Sequence, residues 1–148
     1  MKRVIFLFSL MLCLFGMSMT GFAAPTKEEK QEYEDAISVN LQEMLKGSIA
    51  LDKGSAANKT YQLNWLKAEK KPEEAQKIVA QIEKRQAEQE KKQESMDPYL
   101  KAKKTCDEKL NADGANAALE NIIRIQKDRL KNQEELAELW KKVEKLTK

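Results

Sequence analysis

The sequence predicts an all-α fold, an elongated antiparallel bundle of four to five helices with coiled-coil-like segments. Three observations carry that reading. No stretch beyond residue 23 alternates apolar and polar residues with period two over a useful length, so no strands are expected. Apolar residues instead recur at steps of three and four, the spacing of one face of a helix. Glycine (five) and proline (three) are scarce in 148 residues, while Lys, Glu, Gln, Ala and Leu dominate, the usual vocabulary of long exposed helices.

The chain begins as an export signal. Met1-Lys2-Arg3 is a short cationic segment, and an apolar run follows from Val4 to Phe15. Gly21-Phe22-Ala23-Ala24-Pro25 then offers small residues for signal peptidase. Cutting after Ala23 places Ala at −1 and Gly at −3, whereas cutting after Ala24 places Phe22 at −3 and Pro25 at +1. The expected division is therefore a cleavable signal over 1–23 and one helical domain over 24–148, periplasmic or secreted. No integral membrane span remains after cleavage. Cys13 reads as one more apolar residue of the signal, since Leu12 sits where a lipoprotein signal wants a small side chain.

The first mature helix starts at Thr26, with Glu29 three residues on, the Thr-x-x-Glu capping pattern. Its apolar stripe is read as Tyr33, Ile37, Leu41, Met44, Leu45 and Ile49. Gly47-Ser48 is a soft spot within it, and Gly54 is expected to end it. Ser55 then caps a shorter helix with Ala57, Tyr61, Trp65 and Ala68 on one face, flanked by Leu63 and Leu66. Pro72-Glu73-Glu74 reads as a further start, leaving open whether 56–96 is one kinked helix or two.

The next helix opens with Ala75, Ile78, Val79 and Ile82, then loses its apolar stripe from Lys84 to Glu94. A helix polar all round projects into solvent or pairs through a polar seam. Asp97-Pro98 marks a restart with Asp97 as cap, and Tyr99, Leu100, Cys106 and Leu110 are its apolar positions. Asn111 to Gly114 reads as a turn. The last helix spans about 115–146, with buried candidates at Leu119, Ile122, Ile123, Leu130, Leu136, Leu139, Trp140, Val143 and Leu146. Gln126 and Gln133 fall on its seam as polar register-setting residues.

Chemistry is sparse. Loss of Lys2 and Arg3 takes the formal charge from +3 to about +1, too little to suggest a nucleic-acid partner. Histidine is absent, removing the commonest general base and metal ligand. No glycine-rich phosphate loop, calcium loop or nucleophile elbow occurs. No enzyme activity, cofactor or metal is therefore expected. The mature chain keeps one cysteine, Cys106, read as a small apolar residue of an inner face or, in an oxidising compartment, an intermolecular disulfide or free thiol. Lys101/Lys103/Lys104 and Lys141/Lys142/Lys145 are basic clusters interleaved with acids, which makes them solvated faces first.

The functional expectation is a non-enzymatic protein-interaction or structural module of the cell envelope, adhesin-like or holdase-like. Its partner is expected to be an envelope protein or another copy of itself. The composition is similar to that of exported helical holdases. Neither the strand-forming segment of the trimeric tentacled type nor the Leu-Thr-x-x-Gln motif of the stress-sensing hairpin type occurs. The alternative is a small-ligand-binding bundle whose aromatic pocket is built from Tyr61, Trp65 and Trp140, the candidate contact residues under either reading.

Overall fold

The computed structural model describes residues 23–148. The signal segment and Cys13 lie outside the described residues. Among those described the fold is all helical, with four helices and no strand: α1 Lys27–Lys67, α2 Glu73–Glu94, α3 Asp97–Glu108 and α4 Ala112–Thr147. At 1.5 Å rise per residue, the 41 residues of α1 alone extend about 60 Å.

The N-terminal cap of α1 is the capping box read from the sequence. Thr26 Oγ1 accepts from the Glu29 backbone N–H at 3.1 Å, and the Glu29 carboxylate accepts from the Thr26 N–H at 2.8 Å. The expected end at Gly54 does not occur, and Ser55 caps nothing. The helix runs through both glycines to Lys67, because each is held against α4 rather than released into a turn. Residues 68–72 are the break, so 56–96 divides between α1 and a separate α2.

Hydrogen bonds between elements fix the topology. Asn40 pairs with Asn116, Ser48 with Gln126 and Ser55 with Gln133, so residue numbers rise together and α1 and α4 are parallel. Arg85 meets Asn132, and Gln93 meets Arg129, so α2 runs the opposite way. α3 continues in the direction of α2 after a short break at Ser95–Met96 and turns back into α4. The bundle is thus up, down and up, with the middle rod broken. α4 is the common partner, and each other helix packs against it. The most extensive packing therefore joins the first and last helices rather than neighbours in sequence.

Two smaller boundaries also differ from the reading. Met96, not Asp97, is the N-cap of α3, and Asp97 is already helical with Pro98 in the first turn. The turn into α4 is Lys109–Asn111 rather than 111–114. Leu110 takes φ 50°, a left-handed conformation that costs an L-residue about 1 kcal/mol, and its side chain packs on the core. Asn111 caps α4 by accepting from the Gly114 N–H at 3.0 Å.

Buried residues on α1 recur every seven positions at Ile37, Met44, Leu51 and Asn58. The intervening positions 40, 47 and 54 carry Asn, Gly and Gly. Leu45 and Ile49, read as members of the buried stripe, are exposed, as are the flanking Leu63 and Leu66. Local hydrophobicity pulled the reading toward the leucines. The true seam instead uses small and polar residues, because α1 lies so close to α4. Two apolar clusters result. One joins Tyr33, Ile37, Met44, Met96, Leu119 and Ile122 near the start of α1. The other joins Ala75, Ile82, Leu136, Trp140 and Val143 near its end.

The first end is closed by a polar contact. The Tyr33 hydroxyl donates to Asp107 Oδ1, and Lys103 Nζ bonds Asp107 Oδ2 at 2.7 Å with both side chains largely covered. Burial first, and the bond to Asp107 second, hold the Tyr33 phenol well above its ordinary value of 10.0. The folded state therefore favours the neutral phenol. That stabilisation is complete below about pH 10 and falls as pH climbs toward the raised value. The expected outcome is a melting temperature that drops between about pH 10 and about pH 12, with a shallower drop in Tyr33→Phe. Parallel slopes in melts of the two proteins would contradict it.

Candidate functional site

The middle of the bundle is polar. Gln126, Arg129, Asn132 and Gln133 of α4 are all buried between the two apolar clusters. On the α1 side the contact is a repeated unit. Gln126 Nε2 donates to Ser48 Oγ at 2.9 Å, and seven residues on Gln133 Nε2 donates to Ser55 Oγ at 2.9 Å and to the Leu51 carbonyl at 3.0 Å. The glycine preceding each serine makes room for the amide. A Cβ at Gly47 would stand 2.5 Å from Gln126 Oε1, and one at Gly54 closer still to Gln133 Oε1. Two Gly-Ser pairs seven residues apart on α1 thus receive two glutamines seven residues apart on α4. This fixes the parallel register, the best-attested role of polar seam residues.

The α2 side accounts for the polar run from Lys84 to Glu94, which pairs through a seam. Arg85 ion-pairs with Glu135 and reaches Asn132 Oδ1 at 3.4 Å. Gln89 Nε2 donates to the Arg129 carbonyl at 3.0 Å, and its own oxygen accepts from Asn132 Nδ2 at 3.1 Å. Arg129 Nη2 donates to Gln93 Oε1 at 3.0 Å, while its Nε is buried without a partner. Burial lowers the pKa of this guanidinium, opposed by the more distant charge of Asp52. A buried cation with no carboxylate in contact adds little to stability. Arg129→Met is therefore expected to unfold in urea at the same or higher concentration, with a gain of about 1 kcal/mol. A loss of that size would mean the waist depends on the charge.

The residues singled out from sequence fall as follows. Tyr61, Trp65 and Trp140 do come together, where the end of α1 crosses the end of α4, packed on Ala75, Ile78 and Ile82. Lys71 Nζ stands 5.3 Å from the Trp65 ring centroid. The hollow these aromatics line with Asn64 and Glu144 has a volume of about 20 Å³, whereas ligand sites run to several hundred. Trp140 is buried with its Nε1 unpartnered, and Trp65 is half-buried. Cys106 is half-buried on the inner side of α3 among the residues of the first apolar cluster, its Sγ against Gly114. Lys103 is held by Asp107, and Lys141 by Glu138 at 2.6 Å. Ala23 and Ala24, flanking the expected cleavage point, are exposed and precede the first helix.

One feature of the surface was hidden in the sequence reading. The side of α1 turned away from α4 exposes Val39 (75%), Ile49 (57%) and Leu63 (47%), with Leu45 and Ala56 on the same side. Leu66 is exposed nearby. Among the described residues, no other helix packs extensively there. The signal that could have found it is the seven-residue repeat of α1. Once Gly47 and Gly54 are placed on the seam, Leu45, Ile49, Ala56 and Leu63 must face outward. A wider surface hollow of about 450 Å³ lies along α1 and α4, open to solvent and bordered by Glu43, Glu120, Arg124, Lys127 and Asp128. Its charges already pair in part, Lys127 with Glu43 at 2.7 Å.

Among the described residues no group of three or more His, Cys, Asp or Glu side chains could hold a metal ion. No helix there is long and apolar enough to cross a membrane. No protein-family profile matches the chain, and no curated protein or solved structure matches it significantly.

Proposed function

We propose that this chain is an exported, non-enzymatic protein of the cell envelope that works as a helical protein-interaction module, through the outer face of α1. The observation that carries the reading is the row of exposed apolar side chains on that face, running from Val39 through Leu45 and Ile49 to Leu63. Exposed leucines scattered singly are ordinary, but a row along one face of a helix marks a contact surface. The long, slender bundle suits such a role. Its polar waist sets register between rods at the expense of core, leaving a stiff presenting scaffold rather than an enclosed pocket. The aromatic cluster around Trp140 serves the same scaffold by locking the ends of α1, α2 and α4 together.

Site-specific photo-crosslinking in cells tests the reading. A photoreactive residue at Ile49 is expected to give a discrete protein adduct, and one at Lys84, on the exposed outer side of α2, none. Adducts at neither position, together with tryptophan fluorescence that shifts on adding small metabolites, would overturn it in favour of ligand binding.

A further inference from the structure

We infer that the occupant of this face is a second copy of the chain, laid antiparallel along α1. The inference rests on the proposed interaction role of that face and adds to it the identity and direction of the partner. Its warrant is the charge distribution on either side of the apolar row. The first turns of α1 carry Glu28, Glu32, Glu34 and Asp35, with Lys27 and Lys30 as the opposing charges. From the middle onward the balance reverses: Lys46, Lys53, Lys59 and Lys67 stand exposed, with Asp52 the one acid among them. Glu43, between the two halves, is already engaged by Lys127 of α4. The helix is therefore acidic at its start and basic from its middle to its end, with the apolar row running alongside the basic part.

Such a surface is complementary to itself in one direction only. A parallel copy would set acid against acid and base against base, which disfavours the encounter. An antiparallel copy sets the acidic start of each α1 against the lysine-bearing last turn of the partner's, and apolar row on apolar row. The contact is then isologous, so it closes at two copies and does not propagate. Two spacings give the same register independently. Val39 and Leu63, the outer members of the apolar row, are equidistant from residue 51, and so are Asp35 and Lys67. With the two-fold axis at the level of residue 51, Val39 meets the partner's Leu63 while Asp35 meets the partner's Lys67. Leu45 then lies against the small side chains of the partner's Ala56 and Ala57, and Ile49 against the stem of the partner's Lys53.

Sedimentation equilibrium of the chain starting at Ala24 tests the pairing. The expected result is a monomer–dimer equilibrium that reaches dimer at high concentration. Ile49→Glu/Leu63→Glu is expected to weaken it at least about 30-fold without changing helix content or melting, since both side chains are outside the core. Asp35→Lys alone and Lys67→Glu alone are each expected to weaken it several-fold, and Asp35→Lys/Lys67→Glu to restore it, because the swap exchanges the ends of one matched pair. A chain that stays monomeric, a dimer indifferent to Ile49→Glu/Leu63→Glu, or a charge swap that fails to restore association would overturn it. A monomer whose photoreactive residue at Ile49 still captures a different protein overturns the self-pairing while leaving the interaction role standing.

Discussion

Gly54→Leu is expected to lower the stability of the bundle by about 3 kcal/mol, measured as the urea midpoint of the helical circular-dichroism signal. A Cβ at residue 54 falls inside the space of the Gln133 amide, so any side chain there displaces it. Displacement breaks the bonds to the Leu51 carbonyl and to Ser55 Oγ, each worth about 1 kcal/mol. Forcing the remaining leucine atoms between α1 and α4 costs a further 1–3 kcal/mol or so. Against this stands a gain of roughly 1 kcal/mol from removing glycine from a helix interior. The signs of the terms make the test sharp. If Gly54 were a solvent-facing position within the helix, leucine would be neutral or stabilising. Gly54→Ala is expected to be milder, because the amide lies at the end of a flexible side chain and can swing aside. Adding Gln133→Ala to Gly54→Ala should return part of the loss, as two contacting residues do not act independently.

Trp140→Ala is expected to cost about 4 kcal/mol, the usual range for truncating a buried aromatic. Trp140 is 3% exposed and lies where three helices meet, with Tyr61 and Trp65 of α1 on one side and Ala75, Ile78 and Ile82 of α2 on the other. Its ring packs among residues of all three helices, so the cavity would loosen all three. Trp65→Ala should cost clearly less, since that ring is half-exposed. Thermal melts rank the two variants. Equal losses, or a small loss for Trp140→Ala, would mean that this end is held by something other than the aromatic cluster. The two positions also separate the functional alternatives. A pocket lined by these aromatics would tolerate truncation at a cost in ligand affinity, whereas a packed joint loses stability first.

Much of the fold was legible because its signals are local. The Thr26–Glu29 box, the acid-rich first turns and the Pro98 restart are read within four residues, and each marks a helix start to within a residue. The stripe of α4 was legible because that helix is buried on several sides, so almost every apolar residue it carries faces a neighbour. α1 misled for the opposite reason. Through its middle it packs against α4 alone, so closely that glycine, serine and asparagine occupy seam positions and its larger apolar residues are left outside. A glycine that ends a helix and a glycine that admits a neighbouring helix look alike in one segment. Only the matched spacing, Gly47 and Gly54 on one helix with Gln126 and Gln133 on another, tells them apart, and that comparison requires knowing which helices meet. The outer face followed the same logic. Reading Leu45 and Ile49 as core residues hides the exposed apolar row on the outer side of α1.

The aromatic site shows what residue types alone can carry. Tyr61, Trp65 and Trp140 were grouped from three places in the sequence, and they do meet. Their meeting produces a filled joint with about 20 Å³ to spare, because Val143, Ile78 and Val79 pack into the same space.

The claim that protein contact occurs on the outer face of α1 is most directly tested by cysteine protection. Ile49→Cys and, as a control, Lys84→Cys would be placed in a Cys106→Ser background and labelled with a small charged maleimide, once on dilute purified protein and once in intact cells. The expected result is rapid labelling of both positions when dilute, and protection of Ile49→Cys but not of Lys84→Cys in cells. Equal labelling of the two positions in cells would contradict the account.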